Sequence, residues 1–428
     1  MFVSQSKKEP FSELSIQNYY KPQKYAYPMQ KVVLPNGLTV LYRHKPGNAV
    51  IVEVMIKVGS NDELSDEKGI AHFLEHLLFE GTLKRPTNRE ISNEIEKIGG
   101  EFNAYTTNER TCFYVKVLKK HFIKAIDVLS DILQNPLFDP EHIKKEKNIV
   151  LKEIDMVNDE PRFYQWILLQ KTLFKHHPAG TPTYGDKNII TSLTREKILQ
   201  YFEKYYQPSN MIISIVGEID NWRQEVDKWF VMPKKKPLLR KKHPNTILRQ
   251  NISDTEKRKV ANTYLVVGFK TVPQGHKDSY VLEVLNGILG RGQSGKMFTE
   301  IRSKRGLAYD VGTQHVAEVS FGYFAVYATV DKKNIALVKN VILEEMKKLK
   351  SLREEDLKEA KDFIEGDYLL DLEDVQKISD QLLFWEQLGK SNMMDKYISQ
   401  IKKVTLSDIK RVIDAYFKHH AIVVLEGK

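Results

Sequence analysis

A chain of 428 residues exceeds one ordinary domain and points to two or three. Its 41% hydrophobic and 10% aromatic residues are enough for real cores and argue against disorder. A net charge of +10 raises nucleic acid as a partner, but the lysines are dispersed among Glu and apolar positions, so no nucleic-acid or membrane partner is expected. No run reaches the roughly 18 apolar residues of a membrane span. The single Cys112 excludes an internal disulfide framework.

Residues 1–29 read as a polar N-terminal extension. They lack the apolar h-region of a secretory signal, and "MFVSQSKKEPFSELSIQNYY" carries acidic residues but no Arg, which disfavours a mitochondrial transit peptide. The expected location is cytoplasmic. After the strand "AVIVEVMIKVGS" comes "GIAHFLEHLLFEGT", Gly69 to Thr82. Here Ile70, Phe73, Leu74, Leu77 and Leu78 recur with helical spacing, so one face is core. His72, Glu75 and His76 share an arc beside that stripe. Histidines at i and i+4 project one turn apart on the same side of a helix, where two imidazoles can bind one metal ion. The plain alternative is a pair of satisfied surface histidines. The Glu between them shifts the balance, because a carboxylate beside a metal-activated water is the general base of a hydrolase. His-x-x-Glu-His reverses the usual zincin order and is the inverzincin pattern.

The stretch "EFNAYTTNERTCFYVKV" follows a Gly99-Gly100 turn and reads as two strands joined near Asn108–Arg110. Cys112 within it is expected to be an inert buried thiol. An ordinary hairpin accounts for the pattern, and so does a hairpin whose exposed edge accepts a peptide as an added strand. Next, Ile143, Val150, Ile154 and Val157 define the apolar stripe of a helix over Glu141–Val157. Glu146 and Glu153 border that stripe seven residues apart. Carboxylates there are costly without a partner. Lys144, Lys147 or Lys152 could pair with them; a metal would satisfy them better. A further helix, Thr194–Tyr206, runs into an apolar strand.

"PKKKPLLRKKHP" (Pro233 to Pro244) has three prolines and no periodicity, and reads as an exposed linker over residues 233–250. Beyond it the pattern repeats. Strand "NTYLVVGFKTV" precedes a helix marked by Val281, Leu282, Leu285, Ile288 and Leu289. The following Gly290-x-x-x-x-Gly295-Lys296 nearly spells a P-loop, but Met297 replaces the required Ser or Thr and a helix, not a strand, precedes it. Nucleotide binding is rejected. Helices over Asn334–Leu352 and Glu354–Leu370 follow. Thr405, Ile409, Tyr416 and Phe417 repeat Thr194, Ile198, Tyr205 and Tyr206 at an offset of 211. A period this long is a duplicated domain rather than a solenoid. At that offset His72, Glu75 and His76 fall on Glu283, Asn286 and Gly287, and Gly81 on Gly292. The fold therefore does not need the polar triplet. The expected class is α+β, with two homologous domains, residues 30–232 and 251–428, each a mainly antiparallel sheet packed with helices.

The triplet, the distance of 77 residues from His76 to Glu153, and the blocks "PNGLTVLYRHKP" and "GGEFNAYTTNERTCFYV" resemble the pitrilysin/insulysin family, which includes the mitochondrial processing peptidases and bacterial relatives. The resemblance spans about residues 30 to 428. It implies that His72, His76 and Glu153 bind one Zn2+ per chain, that Glu75 activates water, and that Glu146 orients His76 or another ligand. It implies also that the strand Phe102, Asn103, Ala104, Tyr105 and Thr106 holds the substrate backbone. In "RSKRGLAYD", Arg302 and Tyr309 match an Arg–Tyr pair of the family's non-zinc half, which stabilises the developing oxyanion. The family encloses substrates in a clamshell chamber. A two-domain chain carrying both motifs implies a homodimer, each zinc facing the partner copy's Arg–Tyr pair; a heterodimer with a related subunit is the other arrangement. The implied activity is a zinc endopeptidase acting on unfolded peptides. Alternatives are a processing peptidase for presequences or peptide precursors and, in a different class, a non-catalytic structural subunit.

Overall fold

In a computed structural model, residues 28–240 and 243–427 are described. Most of the N-terminal extension, residues 1–27, and two linker residues, 241–242, lie outside them. The first half forms one sheet from β1 (Gln30–Val33), β2 (Thr39–Arg43), β3 (Ala49–Ile56), β4 (Glu101–Thr106), β5 (Thr111–Leu118) and β6 (Met211–Val216), in the order β1-β2-β6-β3-β5-β4. The second half forms another from β7 (Ile252–Lys257), β8 (Thr263–Thr271), β9 (Ala308–Ala317), β10 (Gly322–Val330) and β11 (Ala421–Glu426), in the order β7-β11-β8-β10-β9. Without β1 the two orders coincide strand for strand. Each has one parallel pair, β2 with β6 and β7 with β11, among antiparallel neighbours. The duplication read from the offset of 211 is thus a duplication of topology.

The first-half helices begin with α1 (Ile70–Leu77), α2 (Asn88–Glu96), α3 (Phe122–Gln134), α4 (Pro140–Asp159) and α5 (Pro161–Leu173). Helices α1, α3 and α4 pack on one face of the first sheet, where Val50, Val52, Val54 and Ile56 of β3 meet Phe73, Leu129 and Val150. The alternate residues Ile51 and Met55 are equally buried, so β3 is buried on both faces and reads as a run of apolar residues broken only by Glu53 rather than an alternation. What covers that second face comes from the other half: Ile378, Leu382 and Trp385 of the Val375–Gln387 helix. The exchange is mutual. Helix α5 leaves its own half and lays Tyr164, Leu168 and Leu169 on Tyr264, Val266 and Val423 of the second sheet. Its approach is close enough that a Cβ on Gly268 would stand 2.5 Å from Leu169 Cδ1, so a larger residue at that point of β8 would have to push the Leu169 side chain aside.

Polar contacts tighten the same seam. Arg43, 1% exposed, makes a two-pronged pair with Asp395 at 2.8 and 3.0 Å. At the tip of the β4–β5 hairpin, Arg110 pairs with Glu318 at 2.8 Å, and the Glu109 carboxylate accepts the Val319 and Ser320 amides. Each half lends the other a helix, and the first adds a hairpin tip, so the halves form one frame.

Leu169→Ala should cost about 2–5 kcal/mol in denaturant unfolding. Because its side chain belongs to the second sheet's core, deuterium uptake should rise in β8 and β11 more than in β3 and β6.

Candidate metal centre

Helix α1 is eight residues long, too short to stand alone, and its start is buried. The first-turn amides that have no partner within a helix meet a carboxylate instead: Glu63 accepts the Gly69 amide at 2.9 Å and the Ala71 amide at 3.0 Å. Burial raises the Glu63 pKa to about 8 against these bonds. Gly69 has φ +99, and a Cβ on Gly185 would stand 2.2 Å from the Lys68 carbonyl, so two glycines let the loops pass one another here. Helix α4 starts at Asp139, whose side chain caps the Glu141 amide at 2.8 Å, with Pro140 in the first turn.

Where α1 crosses α4, the polar arc of one meets the carboxylate border of the other. His76 Nδ1 lies 2.9 Å from Glu146 Oε1, and Glu146 is only 4% exposed. That bond fixes the ring and turns Nε2 towards Glu153, whose Oε2 is 3.4 Å away; Glu153 Oε1 is 3.6 Å from His72 Nε2. One donor atom from each of His72, His76 and Glu153 falls within 4.8 Å of the others, and they form the one such metal-competent group among the described residues. These spacings are long for hydrogen bonds. They suit a shared cation, since donors about 2.0–2.2 Å from a tetrahedral metal stand roughly 3.3–3.6 Å apart. The donor set, two imidazoles and one carboxylate, is that of a catalytic zinc site with one position open. The two carboxylates also draw positive charge to this point. Burial alone would strip charge from His76, yet Glu146 and Glu153 outweigh it and raise its pKa to about 10. The two histidines hold the Glu153 carboxyl well below the usual carboxylate range.

Glu75 projects beside this group and is held by the Thr106 hydroxyl, which donates to its Oε2. Thr106 ends β4, the open edge of the first sheet. The hairpin bond from the Thr107 amide to the Arg110 carbonyl sets the alternation, so the amides and carbonyls of Phe102, Ala104 and Thr106 face the open side. Phe102 packs edge-on to Phe79 at 5.2 Å. Asn103 is exposed and its Oδ1 accepts the Ala104 amide at 2.8 Å, occupying one edge donor. Tyr105 points through the sheet to the other face, where its hydroxyl meets Glu53 and Asp380. The expected substrate segment is therefore an edge strand, but its five side chains do different things. The contacts of Thr106 and Tyr105 were not read from the sequence; strand alternation alone assigns Thr106 to the face of α1.

Arg302 and Tyr309 stand together, the guanidinium carbon 5.5 Å from the Tyr309 ring centre, with Tyr309 72% exposed. Among the described residues, no hydrogen bond, ion pair or ring contact of theirs reaches the His72–His76–Glu153 group. In the second half the Asp278–Gly290 helix occupies the place of α1. Glu283 pairs with His315 at 2.8 Å, Asn286 bonds Thr313 at 2.7 Å, and Gly287 replaces His76. At the same offset Glu146 and Glu153 become Leu357 and Ile364, both buried, and a Cβ on Gly287 would stand 3.3 Å from Ile364. Apolar packing has taken the place of the ligands.

Residues 39–187 match the family described as Insulinase (Peptidase family M16), and residues 192–364 match the Peptidase M16 inactive domain. A Bacillus subtilis protein named as an uncharacterized zinc protease, YmxG, is 32% identical over 89% of this chain and 94% of its own. The chain belongs to the peptidase M16 family, that of insulinase and pitrilysin. A Rickettsia felis protein also named an uncharacterized zinc protease is 33% identical over 90% of this chain and 94% of its own. The crystal structure of a Helicobacter pylori protease has the same fold, with a TM-score of 0.88 at 22% identity over 94% of this chain and 99% of that one. A Pseudomonas fluorescens structure described as a peptidase M16 inactive domain follows at 0.85 and 19%, over 94% and 98%. Among the described residues, no helix is long and apolar enough to cross a membrane.

Equilibrium dialysis against zinc, read by elemental analysis, should give about one ion per chain. Glu153→Gln and His72→Ala should lose that ion, while Glu146→Gln should keep it about 10–100-fold more weakly.

Proposed function

We propose that the protein is a zinc-dependent endopeptidase that hydrolyses unfolded peptides. The observation that carries this reading is the group formed by His72, His76 and Glu153 with Glu75 alongside and an open strand edge ending at the residue that holds Glu75. Zinc bound there would supply Lewis acidity, polarising a peptide carbonyl and lowering the pKa of water from 15.7 to about 7. The remaining steps belong to the chain's own groups. An extended peptide pairs with β4 through backbone amides and carbonyls, so recognition favours unfolded segments over any one sequence. Glu75 removes the proton from the attacking water and returns it to the leaving amine nitrogen. Thr106 keeps the Glu75 carboxylate aimed, and Glu146 keeps the His76 ring oriented.

We further propose a homodimer in which Arg302 and Tyr309 of one copy face the metal group of the other and stabilise the developing oxyanion. Support comes from their exposure beside each other on the second half, and from the firm seam between halves, which leaves enclosure of a substrate to a second molecule. The same chemistry would serve a processing peptidase; the two differ in substrate rather than in mechanism. Cytoplasmic peptides are the proposed substrates.

Glu75→Gln should retain zinc and lose about 10²–10⁴-fold in cleavage of a long unstructured peptide followed by mass spectrometry. Wild type that holds zinc and cleaves no unstructured peptide would sink the reading. Mixing Glu75→Gln with Tyr309→Phe chains should restore about a quarter of wild-type activity, because half of the dimers then contain one intact site. No recovery after subunit exchange would refute the shared site.

A further inference from the structure

Behind the open edge strand, the side of β4 that faces away from the metal group ends in a partly buried cluster that spans both halves. The Tyr105 hydroxyl lies 3.2 Å from Glu53 Oε1, on β3, and 3.0 Å from Asp380 Oδ1, on the Val375–Gln387 helix. Glu53 is fully buried in the centre of a sheet whose same-face neighbours, Ile51 and Met55, are apolar. A phenol has one proton and can donate to one carboxylate only. If both carboxyls were ionised, the one not served by Tyr105 would stand beside a like charge with at most the Ser379 hydroxyl to turn to, which is unfavourable in so dry a place. The arrangement closes when one carboxyl carries a proton of its own.

The surroundings indicate which one. Every group facing Glu53 from the packed elements is neutral or already committed: Tyr114 and Cys112 on β5, Ser214 on β6, and Ser379 on the helix above. Arg110 is spent on Glu318. Asp380 feels the positive charges of Lys377 and Arg110, which favour its ionised form. Burial first, and the Asp380 charge second, push the Glu53 carboxyl well above its ordinary range; burial also raises Asp380.

We propose that Glu53, Tyr105 and Asp380 form a clasp that retains a proton between the two halves and fixes the backbone of β4, making Tyr105 and Glu53 positioning residues for a peptide paired along that edge. The positioning role rests on the reading of β4 as the peptide-holding strand. Because the folded carboxyl of Glu53 lies above its unfolded value of about 4.3, the clasp's contribution is complete below that value. It is lost as pH rises through the folded pKa. Two like charges then stand behind β4, the Val375–Gln387 helix loosens from the strand, and the edge loses its fixed register.

The test uses the full chain freed of metal, so that neither readout depends on catalysis. Glu53→Gln replaces the retained proton with a permanent donor. Its Tm should match wild type at about pH 4, below the unfolded value, and exceed it by about 3 °C or more at about pH 9. Asp380→Asn should do the same and serves if Glu53→Gln does not fold. The Kd of a fluorescent unstructured peptide should weaken at least about threefold for wild type over the same interval and stay level for Glu53→Gln; Tyr105→Phe should bind weakly at both ends. A Tm difference that is constant with pH would remove the retained proton. The expected Tm pattern with superimposed Kd profiles would remove the positioning role. Absence of peptide binding by wild type at any pH, with the Tm pattern intact, would overturn that role by sinking the peptide-edge reading itself while leaving the proton.

Discussion

The bond between His76 and Glu146 is the contact on which the rest of the site depends. Glu146 sits on the buried border of α4, where a lone carboxylate would be expensive, and the His76 ring is its partner. Removing one member of a buried pair of this kind typically costs about 3–5 kcal/mol. The bond therefore sets the height at which α1 crosses α4, and through it the distance of both imidazoles from Glu153. The helix crossing supplies stability through Phe73, Leu74 and Val150, but apolar packing tolerates small shifts. A hydrogen bond of 2.9 Å between two fixed backbones does not.

The second half shows the same crossing without that demand. Gly287 replaces the histidine and Ile364 fills the space where Glu153 would reach, so the Asp278–Gly290 and Glu354–Asp371 helices pack directly. What persists is the tie from helix to edge strand: Asn286 to Thr313 there, Glu75 to Thr106 here. The helix–edge contact is thus a property of the fold, and the first half has turned it into a support for a carboxylate beside the metal group. The second half spends its edge strand on Arg302's neighbour, Tyr309, and on a half-buried Glu283–His315 pair.

Much of this was legible in the chain itself, for physical reasons. The α1 stripe, the Glu146–Glu153 spacing and the strand pair around Asn108–Arg110 are local, and period and capping determine them within a few residues. The duplication was legible because both copies keep the same cap and apolar positions, as at Thr194 and Thr405. The exchange of helices was not. Helix α5 and the Val375–Gln387 helix carry apolar residues on a face whose partner lies far away in the sequence, and periodicity says that a face is buried without saying against what. Tyr105 was hidden for the same reason. Within "EFNAYTT" it reads as one more alternating strand residue, and its partners Glu53 and Asp380 are 52 and 275 positions distant.

That exchange constrains how a substrate can be admitted. A hinge between the halves would have to peel Leu169 from Val266, Trp385 from the outer face of the first sheet, and Arg43 from Asp395 together. Buried contacts of this kind belong to the high end of local opening free energies, close to that of global unfolding. A peptide held as proposed would reach β4, whose edge is bare on the side away from β5. In the proposed homodimer, motion would therefore fall between copies rather than within one. Within the chain the seam resists motion, and so keeps the edge strand, Thr106 and Glu75 in fixed register.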